Sequence, residues 1–216
     1  MDFFTSDIHF GHKNIIRFCN RPFKTLKDMH ESIIRNWNSI VTDADRVFVV
    51  GDVFLCDPAE AKNYLDELNG YKILIKGNHD RSEKTMLWAG FDEYHYDYTY
   101  EMRDGRRALV QHYPLPELLI KEHDILIHGH IHHLPQMRGN KINVCCDLWD
   151  FKPIPISVIE EANLTRSIND EKVEIHIDNS MLSVNFRIAT DDFSGVSAHI
   201  ISELKQYYLA GKDKER

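Results

Sequence analysis

Side chains that bind metals recur along this 216-residue chain, each time just after an apolar run. The set combines carboxylates, imidazoles and one amide, and it comprises Asp7, His9, Asp52, Asn78, His112, His130 and His132. Imidazole and carboxylate ligands suit transition metals such as zinc, manganese or iron, whereas calcium prefers oxygen ligands alone. The residue types therefore predict a transition-metal centre assembled from distant segments.

The number of ligand-type residues predicts two metal sites that share a ligand. A carboxylate has two oxygens and can bridge two cations, whereas a neutral imidazole cannot. Asp52 stands in the middle of the set along the chain, so we interpret it as the bridge. Two cations about 3.5–4 Å apart can clamp both ends of an in-line phosphoryl displacement.

Buried strands are expected to position these residues. The strands that end just before them are Met1–Thr5, Arg46–Val50, Tyr71–Ile75, Arg106–Val110 and Ile125–Ile127. Helical spacing of apolar residues indicates helices after Thr25 and after Pro58, between the first three strands. Strand ends at one edge of an α/β sheet converge, and ligand sites form there.

The second half of the chain indicates a mixed sheet. The aromatic stretch Tyr94–Met102 is predicted to be one strand, joined to Arg106–Val110 through a turn at Asp104-Gly105. We divide the chain into a main domain over residues 1–164 and an extension over residues 165–216, packed on that domain. The extension is predicted to be a hairpin, Lys172–Ile177 and Leu182–Ile188, followed by a helix over Val196–Leu209.

The bulk composition limits the class of protein. Hydrophobic residues make up 43% and charged residues 28%, which is typical of a globular protein. No apolar run approaches the roughly 20 residues of a membrane-spanning helix. The N-terminus resembles no signal peptide and there is no CxxC pair, so we expect a reduced cytoplasmic protein without membrane contact. A net charge of −8 disfavours binding of extended nucleic acid.

The ligand-type residues lie in motifs that resemble a known signature. These motifs are Asp7-Ile8-His9, Gly51-Asp52, Gly77-Asn78-His79-Asp80, His112 and Gly129-His130-Ile131-His132. Each motif alone is compatible with an ordinary turn, but together, in this order, they resemble the calcineurin-like metallophosphoesterases. The resemblance spans Met1 to Asn163, and the segment GHKNIIRFCNRPF is similar to small bacterial and phage members. It implies a layered α/β/β/α sandwich with mixed sheets and a dinuclear metal site at the strand ends.

The resemblance also implies a role for each residue. Asp7, His9 and His132 would hold one metal, Asn78, His112 and His130 would hold the other, and Asp52 would bridge them. His79 would donate a proton to the leaving oxygen, and Asp80 would orient His79. The reaction implied is hydrolysis of a phosphomonoester or phosphodiester by in-line attack of a hydroxide that bridges two divalent transition metals. Manganese is favoured, with iron, zinc and nickel as alternatives.

One position departs from the family pattern. Many members carry an acid three residues after the bridging aspartate, where this chain has Leu55. The missing acid lies outside the ligand set, so metal binding is expected to survive. A ligand imidazole could be held more loosely, or Asp57 could substitute for the missing acid.

Basic residues follow the first motif. Among them, Arg17 and Arg21 are the candidates for binding a substrate phosphate, because a guanidinium fork matches two phosphate oxygens.

The expected substrate is a phosphorylated small molecule or a nucleotide. One alternative is a nuclease that uses the same chemistry on DNA or RNA. Another is a non-catalytic, metal-stabilised subunit that binds a partner. The presence of the full ligand set and of His79 favours an enzyme.

Overall fold

The structure is a computed structural model that describes residues 1–116, 119–120, 123–133 and 136–162, together with the backbone of two strands at 171–178 and 181–188. The chain divides into one unit of Met1–Leu115 with Ile120–Arg166 and a second of Pro116–Leu119 with Ser167–Arg216. Within the described ranges, no helix has the length and apolar character needed to cross a membrane.

The first unit alternates strands and helices over its first half and is richer in strands thereafter. In chain order its strands are β1 (Asp2–Thr5), β2 (Arg46–Val50), β3 (Tyr71–Ile75), β4 (Glu93–His95), β5 (Tyr98–Glu101), β6 (Arg107–Val110), β7 (Ile125–His128), β8 (Met137–Arg138), β9 (Lys141–Asn143) and β10 (Ile154–Pro155). Its helices are α1 (Ile15–Phe18), α2 (Leu26–Asn38), α3 (Pro58–Asp66), α4 (Glu83–Ala89) and α5 (Ile156–Glu161).

The first sheet has the strand order β10-β1-β2-β3-β4. The strands β1 to β4 run parallel, and β10 pairs antiparallel with β1. Successive residues of a strand point to opposite faces. Phe3 and Val47 therefore face one hydrophobic core, whereas Phe4 and Phe48 face another.

Helices α2, α3 and α4 cover one face of the first sheet. Helix α2 begins at a capping box in which Thr25 and Asp28 bond to each other's backbone N–H groups, as the sequence indicates. Its fully buried Met29, Ile33 and Trp37 join the core over this face. Burying a large apolar side chain of this kind contributes about 1.5–3 kcal/mol.

The second sheet, of order β5-β6-β7-β9-β8, packs against the other face of the first. Its strands β6, β7 and β9 run parallel, and β5 and β8 are antiparallel edge strands. The core between the two sheets includes a stacked pair, Phe4 and Phe48, with ring centroids 4.9 Å apart. Tyr100 of β5 meets both rings edge-on. Two mixed sheets, with α2, α3 and α4 over one face of the first and the buried Ile156 and Ile159 of α5 in the core on its other face, confirm the α/β sandwich class.

The aromatic stretch expected as a single strand is two strands in different sheets. Its first part, β4, pairs with β3 of the first sheet, and its second part, β5, pairs with β6 of the second. The chain passes from one sheet to the other at Tyr96-Asp97. In the sequence, tyrosines alternate with polar residues from Tyr94 to Tyr100 without interruption. The local pattern therefore gives no sign of the break.

In the second unit, the structure describes one antiparallel strand pair. Strand β11 (Glu171–Asp178) pairs with β12 (Met181–Ile188), at the positions expected for the hairpin. The helix expected over residues 196–209 lies outside the described residues.

Candidate metal centre

The loops after β1 and β2 run side by side and bring the first ligand-type residues together. The backbone N–H of Asp7 donates to Gly51 O (2.9 Å) and that of His9 to Asp52 O (3.1 Å), so the parallel pairing continues past both strands. Asp7, His9 and Asp52 have φ of 58°, 56° and 58°, and His130 after β7 has 72°. Left-handed backbone is uncommon outside glycine, although Asp and His adopt it more readily than most residues.

Two glycines of the motifs are needed because ligand-type side chains pass close to them. A Cβ built at Gly51 would lie 2.5 Å from Nδ1 of His112. One at Gly129 would lie 2.5 Å from Oδ2 of Asp7. Both distances are too short for any real Cβ contact, so these positions exclude larger residues.

One group of ligand-type residues consists of Asp7, His9 and His132. Nε2 of His132 lies 3.7 Å from Oδ1 of Asp7, and the rings of His9 and His132 stack with centroids 5.2 Å apart. Oδ2 of Asp7 accepts hydrogen bonds from the Ser6 hydroxyl (2.5 Å) and from the His130 backbone (3.0 Å). These donors fix the carboxylate of a fully buried residue.

The second group lies around Asn78. Its Oδ1 is 3.0 Å from Nε2 of His112 and 3.1 Å from Nδ1 of His130, and the two imidazole nitrogens are 3.2 Å apart. Nδ1 of His112 lies 2.8 Å from the carbonyl of Val50. A proton on Nδ1 would be donated to that carbonyl, which leaves Nε2 directed at the group.

Asp52 lies between the two groups. Its Oδ2 is 3.5 Å from Nε2 of His112 and 3.9 Å from Nε2 of His9. Burial opposes ionisation of Asp52, but His112 and His9 hold its pKa below the ordinary range. Burial likewise opposes protonation of His112, and the charge of Asp52 overcomes it and raises the His112 pKa to about 9. A carboxylate and imidazoles that compete for one proton can bind a divalent cation in its place.

The donor atoms fit two divalent cations. Donor atoms of Asp7, His9 and His132 lie within 4.8 Å of one another, and so do donor atoms of Asp52 and of the second-group residues His112 and His130. Among the described residues, neither ring nitrogen of His9 has a hydrogen-bond partner, although both are buried. Burial also lowers the His9 pKa well below its ordinary value, so its imidazole is neutral and keeps a lone pair for a metal. An unpartnered buried imidazole is costly unless it binds something.

His79 lies at the edge of the centre and is open to solvent. Its side chain is 46% exposed, and its Nε2 lies 3.9 Å from Oδ2 of Asp52. Its backbone N–H donates to Oδ1 of Asp52 (2.9 Å), which fixes its distance from the centre. The side chain is therefore placed to meet a molecule that approaches from solvent.

Asp80, which was expected to orient His79, contacts backbone N–H groups in the described hydrogen bonds. Its two oxygens accept from the backbone N–H groups of Asp52 (2.9 Å), Val53 (2.9 Å) and Gly77 (2.8 Å). These bonds tie the loops after β2 and β3 together. Asp80 thus fixes the backbone that carries His79, and its orientation of the His79 side chain stays a prediction.

Arg21 also differs from the expectation, because it lies in the interior. It is only 4% exposed, and its guanidinium donates to the carbonyls of Asp7 (2.6 Å) and Ile8 (2.9 Å). Nε and Nη2 donate to the two oxygens of Asp147, each at 2.8 Å. These bonds tie the Arg21 guanidinium to the ligand loop and to Asp147, which argues against its predicted role as a phosphate ligand. Arg17 is exposed, 5.3 Å from the Phe18 ring, and its role as a phosphate ligand stays a prediction.

Asp147 is a residue of the site that the sequence did not reveal. Its Oδ2 lies 2.8 Å from Nδ1 of His132. Burial opposes a charge on His132, but this hydrogen bond, with the neighbouring Cys19 thiol and Asp7, raises its pKa to about 11. A carboxylate behind a ligand imidazole fixes the ring and raises its basicity. Asp147 follows β9 as the other ligand-type residues follow their strands, which is the signal that could have identified it.

Two further residues near the centre have structural roles. Asp57, considered as a replacement for the acid missing at Leu55, instead caps α3 by accepting from the Ala59 backbone (2.9 Å). His30 of α2 is buried, and its Nε2 accepts from the Gly11 backbone N–H (2.9 Å). His30 thereby holds the end of the loop that carries His9.

Comparison with known proteins identifies a family for this arrangement. A family model described as calcineurin-like phosphoesterase matches residues 3–151. That range includes every ligand-type residue of the centre.

Individual relatives are also similar, two of them over most of the chain. An uncharacterized protein of Methanocaldococcus jannaschii is 33% identical over 178 residues, which cover 76% of this chain and 94% of that protein. A crystal structure of a protein of unknown function from Aquifex aeolicus is 31% identical, with a TM-score of 0.64, over 74% of this chain and 98% of that chain. The Gene 66 protein of Mycobacterium phage L5 is 31% identical over 80 residues, 36% of this chain and 38% of that protein.

Proposed function

The chain belongs to the calcineurin-like phosphoesterase family, and we propose that this metal-dependent phosphoesterase uses two divalent cations to hydrolyse a small phosphomonoester or phosphodiester, with nucleotides among the candidate substrates. The observation that supports two cations is the position of Asp52. Its Oδ2 lies within 4 Å of an imidazole from each group, so one carboxylate can serve both. Asp52 is then the bridging ligand.

The remaining ligands divide by group. Asp7, His9 and His132 hold one cation, and Asn78, His112 and His130 hold the other. Bound cations lower the pKa of a water molecule and neutralise charge on the phosphoryl oxygens. Manganese is the favoured metal. Iron, zinc and nickel are alternatives, because imidazole and carboxylate donors suit all four ions.

His79 supplies a proton to the leaving oxygen. Its half-exposed ring lies beside Asp52. The proposed cations are already held by Asp52 and six other ligands, so the His79 ring is free to contact a substrate. A positioned general acid contributes about 10²–10⁴ in rate. Asp80 keeps this residue in place through the backbone.

Small substrates are favoured over long nucleic acids. The net charge is −8, and Arg21, one of the two arginines predicted to bind a substrate phosphate, is turned inward. A protein that grips many phosphates needs a basic surface. We also propose a cytoplasmic location, since all four cysteines are free thiols.

An activity screen with a ligand variant tests the proposed function. The manganese-loaded protein is assayed on nitrophenyl phosphate, bis(nitrophenyl) phosphate, cyclic nucleotides and a single-stranded oligonucleotide. We expect turnover of at least one of the small esters, and near-complete loss in Asp52→Asn, because an amide lacks the charge that offsets two cations. Asp43→Asn, at an exposed carboxylate before β2, is the matched control and should keep full activity.

The outcomes separate the alternatives. Cleavage of the oligonucleotide alone would replace the proposal with a nuclease. Near-normal turnover by Asp52→Asn at saturating manganese would remove Asp52 as the bridge. A protein that binds manganese and hydrolyses none of the esters would support a non-catalytic role.

A further inference from the structure

His132 faces two different sets of donors with its two ring nitrogens. Nε2 lies 3.7 Å from Oδ1 of Asp7, on the side of the candidate metal centre. Nδ1 lies on the other side, 2.8 Å from Oδ2 of Asp147. The second side is also where two cysteine thiols approach.

The thiols belong to Cys145 and Cys19. Sγ of Cys145 lies 3.6 Å from Nδ1 of His132 and 3.3 Å from Oδ2 of Asp147. Sγ of Cys19 forms a group with a donor atom of His132 and one of Asp147, all within 4.8 Å of one another. Two sulfurs, one imidazole nitrogen and one carboxylate oxygen therefore converge from three separate segments.

From this convergence we propose a third cation site, selective for thiophilic metals such as zinc, cadmium or copper(I), formed by Cys19, Cys145, Nδ1 of His132 and Asp147. The site does not depend on the proposed hydrolysis. It lies beside the candidate centre and shares only His132 with the ligand-type residues of that centre.

The distances from the Cys145 sulfur to the other donors fit a tetrahedral ion. Zinc bonds of about 2.0–2.3 Å place tetrahedral ligands about 3.3–3.8 Å apart. The two Cys145 distances, 3.3 and 3.6 Å, fall inside that range. The separation between Nδ1 and Oδ2 is shorter at 2.8 Å, as expected for a hydrogen bond that has to open before an ion enters.

The donor set also decides which ions bind. Thiolates select soft cations, whereas manganese and magnesium prefer oxygen. Arg21 donates to both oxygens of Asp147 and repels a cation. The two thiolates offset this positive charge when they ionise, which neutral oxygen ligands at this position would not do.

The nearby Cys146 is not part of the site. Its Sγ donates toward the backbone carbonyl of Asp7 (3.3 Å) and lies 3.9 Å from Asp147. Cys19 is half-buried, whereas Cys145 is fully buried, so an ion enters past Cys19.

Binding has a stoichiometric and a functional consequence. As the metal–sulfur and metal–nitrogen bonds form, the two thiol protons and the Nδ1 proton pass to solvent. Asp147 then no longer accepts from His132, and the imidazole loses the partner that holds it toward Asp7. Loss of such a partner typically costs about 10–100-fold in metal affinity or activity. A soft cation is therefore expected to inhibit any hydrolysis at the neighbouring centre at least tenfold.

Cadmium titration of the manganese-loaded protein tests the site. We expect the ultraviolet cadmium–thiolate charge-transfer band to saturate at one equivalent of thiolate-bound cadmium. Cys19→Ser and Cys145→Ser should each abolish the band or weaken cadmium binding at least tenfold. Cys56→Ser, at a half-buried cysteine outside the cluster, is the matched control and should leave the band unchanged.

Melting temperatures measured without cadmium show whether each variant folds. If Cys145→Ser does not fold, the result for Cys19→Ser decides the outcome. A band that is absent from the parent protein, or unaffected by Cys19→Ser, overturns the site. A protein that shows the band yet has no hydrolytic activity retains the site and contradicts the proposed function, so the two failures are distinguishable.

Discussion

His79 illustrates how a residue is assigned at the scale of single side chains. Its imidazole is about as close to Asp52 as that of His9 is, since Nε2 of each lies 3.9 Å from Oδ2 of Asp52. The difference is exposure, because the side chain of His9 is 3% exposed and that of His79 is 46% exposed. A buried imidazole without a partner fits a metal ligand, whereas an exposed one fits a group that meets the substrate.

The variant His79→Ala should therefore separate chemistry from metal binding. Turnover of an alkyl phosphate should fall about 10²–10⁴-fold, because the leaving alkoxide needs a proton. The loss should be smaller for a nitrophenyl ester, whose leaving group departs without one. Manganese content, measured by elemental analysis, should be unchanged. His95→Ala, on β4, is the control. Loss of manganese, or an equal loss on both esters, would assign His79 to binding or positioning.

The sequence could indicate the individual ligand-type residues, because each follows a strand within its own segment, and their role as ligands stays a prediction. It could not predict the contacts among Arg21, His132 and Asp147. Arg21 and Asp147 are separated by 126 positions, and nothing in either segment indicates the other. An arginine beside a motif resembles a phosphate ligand equally well whether it points outward or inward. Only the packing of the fold decides that direction.

At the scale of elements, two segments after β1 hold the loop that bears Asp7 and His9. Arg21, just beyond α1, donates to the backbone carbonyls at the start of the loop. His30, within α2, accepts from Gly11 at its end. The ligand loop is thus fixed through its backbone at both ends, and its ligand side chains stay available for metals.

The neutral form of His30 makes this support pH-dependent. Burial lowers its pKa below 6.5, partly offset by Glu60. Below pH 6.5 the unfolded chain binds a proton that the folded protein does not, so stability falls as pH decreases toward the folded pKa. The slope for one proton is at most about 1.4 kcal/mol per pH unit.

The variant His30→Gln tests this dependence. The glutamine oxygen can accept from Gly11 but does not titrate. Urea unfolding of metal-free protein should show the parent losing stability relative to His30→Gln as pH falls from 7.5 to 5.5. Parallel stability profiles for the two proteins would show that His30 is protonated in the fold, or that its proton is not linked to folding.

The boundaries of elements were predicted least well where tertiary structure decides them. Strands β1 to β3 were recognised because each is rich in apolar residues and is followed by turn residues. The separation of β4 from β5 had no local signal, because each half finds its partner in a different sheet. Strand β8 and strand β10, of two residues each, exist only through their neighbours.

At the scale of the whole first unit, the candidate centre joins the two sheets. Asp7, Asp52 and Asn78 follow strands of the first sheet, whereas His112 and His130 follow strands of the second. Any cation held by both sets therefore crosslinks the sheets at one edge. A ligand that binds only the folded form stabilises it by mass action.

Metal loading should accordingly raise the melting temperature and reach two manganese ions per chain. At a free manganese concentration 100 times the dissociation constant, one site contributes about 2.7 kcal/mol of stability. Calorimetry against a chelated sample, with elemental analysis of the loaded protein, measures both. Asp52→Asn should lose most of the shift, since it weakens both sites. A stoichiometry of one or below would contradict a dinuclear centre.

Four ligand-type residues have left-handed backbone: Asp7, His9, Asp52 and His130. At these positions the residue that would make the fold most stable differs from the residue that the proposed catalysis requires. Such conformations cost non-glycine residues about 1–3 kcal/mol each, and glycine adopts them freely. A lineage selected for stability alone would gain by placing glycine there, and each such change would delete a proposed ligand. Descendants released from hydrolysis should therefore lose their metal residues at these turns before they lose Asn78, His112 or His132.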